Sequence, residues 1–254
     1  MDLHLRWYLA AIGIFVLFNA VAFLGVIFFP REKWNIKSIG IEYTSLIFQI
    51  CGVIYALFVG FIVWDVWERF YAVKQNVRTE AEYALRIFQD ASVFGKPMQD
   101  ELKTQLTTYL KHVSEVEWPK MEVPGVFIEG NSMVDAIQGT FYNYTPATRK
   151  QEIWYENVIL KLDKLSVARL NRILNNSNSV GALRWCLLIG GGLFLLLIPC
   201  FFWTKSFFLR AFLVLFLANI ISFLLFVIFS LDHPFIGYVE IGDHPIQEVL
   251  KMIK

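Results

Sequence analysis

The stretch YTSLIFQICGVIYALFVGFIVW, Tyr43–Trp64, lies between Glu42 and Asp65 with no charged side chain inside it. A helix needs about 20 mainly apolar residues to cross the hydrocarbon core of a bilayer, and this run meets that length. Three other runs meet it as well: Trp7–Phe29 between Arg6 and Arg31, Trp185–Trp203 between Arg184 and Lys205, and roughly Ala211–Leu231 between Arg210 and Asp232. Trp7, Tyr8, Trp64, Trp67, Trp185 and Trp203 stand at the run ends, where amphipathic rings favour the headgroup layer. The first run is too long for a signal peptide and ends in FFPREKW rather than in small residues, so it reads as a retained span.

Composition agrees. The 254 residues are 56% hydrophobic and 18% charged, against about a quarter charged in a soluble domain, and the mean hydropathy is +0.50. A formal net charge of +1 offers no field for nucleic acid. Cys51, Cys186 and Cys200 each fall in an apolar run, as inert small hydrophobes and not as a disulfide or metal framework. The expected fold is an all-α integral membrane protein. It divides into 1–64 (spans one and two), 65–183 (a helical domain), 184–231 (spans three and four) and 232–254 (a tail). Lys and Arg near the span ends set orientation. Arg6, Arg69, Lys74, Arg78, Arg172, Arg184, Lys251 and Lys254 outnumber Arg31, Lys33, Lys37, Lys205 and Arg210, which puts both termini and the long middle segment in the cytoplasm.

In that segment nothing breaks a helix from Asp65 to about Ala91, so the second span is expected to continue as one rod. A further helix is expected from about Lys96 to Glu117, stopped at Pro119. Pro124, Gly125, Gly130, Gly139 and Pro146 follow as turn chemistry. A last helix, about Arg149–Leu174, closes at NNSNS, and its Leu160, Leu162, Leu165, Leu170 and Leu174 suit a packed bundle. Glu80, Glu82, Glu115 and Glu117 are expected on solvated faces or paired with Arg169 and Arg172.

No phosphate loop, dinucleotide fingerprint, Gly-x-Ser-x-Gly elbow, His-Glu-x-x-His or paired-cysteine motif is present, so no catalytic residue, metal or cofactor is assigned. The spans carry no interior Asp, Glu, Lys or Arg, which argues against proton-coupled transport. Asn19 on the first span, and Asn219 and Ser222 on the fourth, are expected to hydrogen-bond across the bundle. At 100° per residue, Ser45, Gln49, Gly52, Ala56, Gly60 and Val63 form one stripe along the second span, and beyond it the stripe meets Trp67, Phe70, Lys74 and Arg78. Ile47, Cys51, Ile54, Phe58 and Phe61 occupy the opposite face. Gly52-xxx-Ala56-xxx-Gly60 is a doubled small-xxx-small motif for helix packing. The same stripe, repeated around an axis, would instead make a pore with a polar ring, an aromatic neck and a basic mouth.

The tripeptide Asp-His-Pro occurs at Asp232–Pro234 and again at Asp243–Pro245. Two Asp-His pairs could ligate a metal or sense pH. The structural reading is that Asp232 and Pro234 end the fourth span, and that Phe235–Tyr238 folds back around Gly237. Asp243 then caps a short amphipathic helix carrying Ile246, Val249, Leu250 and Ile253, which lies on the membrane or docks onto another helix.

GFIVWDVWERF (Gly60–Phe70), TEAEYAL (Thr79–Leu85), YLKHVSEVEWPKM (Tyr109–Met121), ARLNRI (Ala168–Ile173) and LDHPFIG (Leu231–Gly237) together resemble the bacterial bestrophin-like family of membrane proteins, distant relatives of the bestrophin anion channels. The motif residues within them are Glu117, Trp118, Pro119, Asp232, Pro234, Phe235 and Gly237. The resemblance implies a homo-pentameric anion channel in a bacterial inner membrane, with cytoplasmic termini, a second span lining the pore and a hydrophobic neck in that span. Its partners would be the lipid bilayer, further copies of the chain and small inorganic anions. The stretch corresponding to the neck carries Gly52, Ala56 and Gly60, and no acidic cluster of the kind that forms a calcium clasp is present. The alternative expectation is a non-conducting scaffold or sensor whose middle segment binds a partner protein.

Overall fold

A chain in hydrocarbon must satisfy its own backbone groups, so its apolar runs become helices. The computed structural model describes residues 3–28, 38–123, 132–177, 180–201 and 207–253. In chain order the helices are α1 (Leu3–Phe28), α2 (Ser38–Asp90), α3 (Lys96–His112), α4 (Trp118–Met121), α5 (Ser132–Tyr142), α6 (Arg149–Ser177), α7 (Ala182–Leu197), α8 (Phe207–Asp232) and α9 (His244–Ile253). Four of them are long and apolar enough to cross a membrane, over Trp7–Phe28, Ser45–Phe94, Ala182–Cys200 and Phe207–Asp232. The protein is an all-α membrane protein. The expectations for Arg31, Lys33, Lys37, Pro124, Gly125, Gly130, Trp203, Lys205 and Lys254 concern positions outside the described residues.

The chain divides into two units: Met1–Glu68 with Ser179–Asp232, and Arg69–Asn178 with His233–Lys254. In the first, α1 and α8 pack along their lengths, with Trp7 against Phe229 at 4.0 Å and Phe15 against Phe226 at 6.3 Å between ring centroids. Without a hydrophobic drive between helices in lipid, close approach depends on small residues. α7 supplies them. A Cβ at Gly192 would stand 2.8–3.0 Å from Tyr55, Ile221 and Phe18, and one at Gly191 would stand 3.0 Å from Tyr55. The Tyr55 hydroxyl donates to the Leu188 carbonyl of α7 at 2.9 Å. The tight small-residue contacts of this unit therefore fall on α7 and on Gly25 of α1, where a Cβ would stand 2.6 Å from Cys200 Sγ, and not on the Gly52–Gly60 stripe of α2.

Between α1 and α8, Asn19 and Asn219 face each other. The Asn219 amide donates to Asn19 Oδ1 at 3.2 Å and to the Leu215 carbonyl at 2.8 Å; the Asn19 amide donates to Asn219 Oδ1 at 3.5 Å and to the Phe15 carbonyl at 2.9 Å. All four N–H groups are engaged, as expected of amides in a span. Ser222 departs from that expectation: it is buried and its hydroxyl has no hydrogen-bond partner among the described residues.

The second unit has an apolar core built from the later part of α2 (Val73, Val77, Ala81, Ala84, Ile87), from α3, α5 and α6, and from α9. α6 starts at a capping arrangement. Thr148 Oγ1 accepts from the Gln151 N–H at 3.2 Å, and Gln151 Oε1 accepts from the Ala147 N–H at 2.9 Å, which satisfies donors that a helix start leaves open. The tail docks. Ile246, Val249 and Ile253 of α9 are buried in this core. The fold-back before α9 turns at Gly237, whose φ of 112° is a left-handed conformation suited to glycine; the Ile241 N–H returns to the Pro234 carbonyl at 2.8 Å.

Further expectations are corrected. Gly139, read as turn chemistry, lies inside α5. Pro119 does not stop the helix. After α3 the chain widens into a π-helical turn over Val113–Glu117, and α4 follows with Pro119 in its first turn, where a missing N–H costs nothing. Of the α6 leucines expected in the bundle, Leu162 and Leu165 are buried, but Leu160, Leu170 and Leu174 are exposed, Leu160 at 61%. α6 is apolar on two sides, and one face of a helix cannot bury both. Asp243 stands at the cap position of α9 as expected, its carbonyl accepting the Gln247 N–H at 3.0 Å, and its carboxylate accepts from the Ser114 hydroxyl and from the Gln247 side-chain amide at 2.8 Å. It anchors the tail to the π turn.

Candidate functional site

The candidate pore residues read from sequence lie on α2. Gln49 donates to Ser45 Oγ at 3.4 Å, as neighbours one turn apart on one face do. Gln49, Ala56 and Gly60 are exposed and Ser45, Gly52 and Val63 half-buried. A Cβ added at Gly52 or Gly60 would meet nothing within 4 Å among the described residues. The helix packs within its own unit through another face, with Val59, Ile62 and Val66 buried. Of its most apolar window only 11% is buried, against 28%, 39% and 33% for the other three spans. Trp67 is exposed, as are Lys74 and Arg78 further on; Phe70 is drawn partly onto the core of the second unit. Asp65 pairs with Arg184 of α7 at 2.9 Å.

Further along α2, Glu80 is completely buried. A buried carboxylate needs a partner, and Glu80 has two. Arg172 of α6 donates Nε to Glu80 Oε2 at 2.6 Å and Nη2 to Oε1 at 2.9 Å, a bidentate pair, and the Tyr109 hydroxyl of α3 donates to Oε1. The same Arg172 Nη2 reaches Glu117 Oε2 at 2.6 Å, and Arg169 holds Glu117 Oε1 at 2.6 Å. Arg172 also lies 5.6 Å from the centre of the Trp118 ring, at cation–π range. Two carboxylates and two guanidiniums thus balance inside an apolar core, tying α2, α3, the π turn and α6 together. The π turn has a local role here. It displaces the chain by one residue against the ordinary helix, and in the structure Glu117 and Trp118 both face inward. Such single π turns often mark functional positions.

Titration follows from this geometry. Burial pushes the Glu117 carboxyl up, but Arg172 and Arg169 outweigh it, and the group lies below the ordinary carboxylate value. Burial and the neighbouring Glu80 push the Tyr109 hydroxyl well above 10. Burial lowers Arg172, yet the carboxylates around it raise it further, so it stays charged.

Of the four middle-segment carboxylates, Glu80 and Glu117 take the paired arrangement with Arg172 and Arg169. Glu82 pairs with Arg86 on the surface, and Glu115 is exposed. The sequence did not single out Tyr109 or the centrality of Arg172. Two sequence motifs separated along the chain do meet: the Trp118 ring stands edge-on to Phe235 at 5.6 Å, with Pro234 and Phe235 buried. Asp232, in the first unit, accepts the Val180 N–H at 2.7 Å. His244 is exposed, His233 half-buried, and among the described residues no group of three or more His, Cys, Asp or Glu could hold a metal.

The bestrophin-like domain matches residues 13–246 of the chain. No curated protein matches it. Among solved structures, a bacterial bestrophin homologue from Klebsiella pneumoniae is similar at a TM-score of 0.71 and 15% identity, covering 96% of this chain and 97% of that one. A second structure of the Klebsiella homologue gives 0.69 and 15%, with 95% of each chain covered. A further membrane protein gives 0.68 and 17% identity, over 96% of this chain and 95% of its own. At such identities the likeness is one of fold, while the domain match spans most of the sequence: the chain belongs to the bestrophin-like family of membrane proteins.

Proposed function

We propose that five copies assemble around an axis, with the membrane part of α2 facing it, as an anion channel of a bacterial inner membrane with both termini and the second unit cytoplasmic. The observation that carries the reading is the bare stripe. Ser45, Gln49, Gly52, Ala56, Gly60 and Val63 combine polar atoms with missing bulk, and a Cβ at Gly52 or Gly60 would meet open space among the described residues. Repeated around an axis, they give a polar ring at Ser45 and Gln49 and a narrow small-residue tube. An aromatic neck at Trp67, bordered by Phe70, follows, and then a basic mouth at Lys74 and Arg78. Apolar constrictions gate by dewetting, and cationic rings select anions. The test is current through planar bilayers containing the purified protein. Anion currents are expected, and Lys74→Glu with Arg78→Glu should move the reversal potential toward cations. Silent bilayers across voltage and pH would sink the proposal.

The scaffold reading has its own observation: Ile153, Leu160, Val167 and Leu170 stand exposed on α6. It requires silent bilayers together with a stoichiometric complex between the full-length protein and a partner protein.

A further inference from the structure

The membrane unit carries an apolar groove of about 360 Å³ between α2 and α7, lined by Cys51, Ile54, Tyr55, Phe58, Leu187 and Phe194, with Gly191 and Leu195 completing it. We infer that this groove is a binding site for one acyl chain of a bilayer phospholipid. Three observations meet here. First, the groove lies within two spans, at a depth where the surrounding medium is hydrocarbon. Its one polar side chain, Tyr55, spends its hydroxyl on the Leu188 carbonyl, so neither water nor a headgroup finds a partner in it. Secondly, the recess is shaped by the backbone. Gly191 and Gly192 leave room for the Tyr55 side chain, which a Cβ at either position would strike. An apolar cavity of about 150 Å³ holds a benzene, so this one takes a longer stretch of chain. Thirdly, at 100° per residue the groove residues of α2 lie about 150° round the helix from the Ser45–Val63 stripe.

The choice of occupant rests on the proposed orientation of α2. With the stripe toward the axis, the groove opens away from it, toward lipid and not toward another copy. A chain entering from the bilayer gains no hydrophobic free energy, because it was already in hydrocarbon. It gains dispersion contacts with the groove's lining side chains, so selective but modest occupancy is expected, and the occupant supports α2 on its side away from the axis.

The test uses full-length protein in nanodiscs of phosphatidylglycerol carrying a diazirine in one chain, photolysed, with adducts mapped by mass spectrometry. Adducts should concentrate on Cys51–Phe58 and Leu187–Leu195, several-fold over the exposed Phe212 and Phe216 of α8. Leu187→Trp, at an exposed position that the larger ring would fill, should remove the excess and leave α8 labelling unchanged; Ile54→Trp is the second variant should the first fail to fold. Equal labelling of α2, α7 and α8, or an excess that survives both variants, overturns the inference. So does Cys51-to-Cys51 crosslinking between copies in place of lipid adducts, or labelling by a diazirine-bearing palmitate but not by the phospholipid. Labelling does not depend on conduction, so silent bilayers would remove the channel reading and leave the groove to be judged on its adducts.

Discussion

Between Ser45 and Val63, α2 leaves Ala56 and Gly60 exposed and, among the described residues, open space beside Gly52 and Gly60; between Val73 and Ile87 the same helix gives Val73, Val77, Ala81, Ala84 and Ile87 to a closed core. The contrast follows from the medium. In lipid an exposed leucine costs nothing, so apolar exposure along the first half carries no message, and the informative residues are the small and polar ones. In water the rule inverts. Apolar exposure is the anomaly, as on the outer face of α6, and a buried charge is the feature to be explained. Glu80 and Gln49 sit on one helix, and each is the exception in its own medium.

The largest expected effect tests the buried half. Arg172→Ala leaves Glu80 and Glu117 buried without their shared partner, and breaking such a network costs about 3–5 kcal/mol. Denaturant unfolding followed through Trp118 fluorescence should show it. Replacing Glu80 and Glu117 by Gln in the same variant should recover part of the loss, since no uncompensated charge then remains. A loss below about 1 kcal/mol for Arg172→Ala would mean that the network is solvated and the contrast drawn here is false.

A second comparison sets glycines against each other. Gly192→Val drives a Cβ into Tyr55, Ile221 and Phe18 and should cost about 1–3 kcal/mol by overpacking, read as lowered thermal stability in detergent. Gly60→Val has open space in the chain and should leave that stability unchanged, yet lower the currents. Equal destabilisation by both would erase the difference between the packed face and the bare one.

Acid sharpens the same contrast. Glu117 is held below the ordinary carboxylate value by its guanidiniums, so the folded form binds that proton less readily than the unfolded chain. Its stabilising contribution is complete above about pH 4.3, the usual glutamate value, and fades as the pH falls through the depressed folded value. Glu117→Gln should be less stable than the parent at neutral pH and lose the acid-dependent part of the difference. Tyr109 has the opposite sign. Its raised value is a contribution present below pH 10 and lost as the pH climbs above it.

The spans could be read from sequence because a hydrocarbon core demands length and apolarity, both local properties. α2 runs unbroken through the stretch where no breaker stands, and the apolar spacing of Ile246, Val249 and Ile253 marks the face that α9 buries. What escaped the sequence depends on register between distant segments. Arg172 and Glu80 are 92 residues apart, and nothing near either says that it is buried. The π turn has no residue signature in SEVEWP, so Pro119 looked like a stop. The exposed leucines of α6 failed for a related reason: leucine periodicity shows that a face is apolar but not which of two apolar faces the chain itself will cover. The three glycines Gly190–Gly192 were the missed local signal for the α7 contact.

The smallest expected effect falls in lipid, on the Asn19–Asn219 clasp. Each amide bonds its partner and a carbonyl of its own helix one turn back. Interhelical bonds of this kind average only about 0.6 kcal/mol in a membrane, because the separated helices find other partners. A double-mutant cycle with Asn19→Leu and Asn219→Leu should therefore return a coupling near that value. It should also leave the double variant nearly as stable as the parent, since leucine at both positions meets lipid without penalty. A coupling of several kcal/mol, on the scale expected for Arg172, would show that this amide pair is shielded from lipid much as the ion pairs are shielded from water. The sharp division between the two media along this chain would then fail at Asn219.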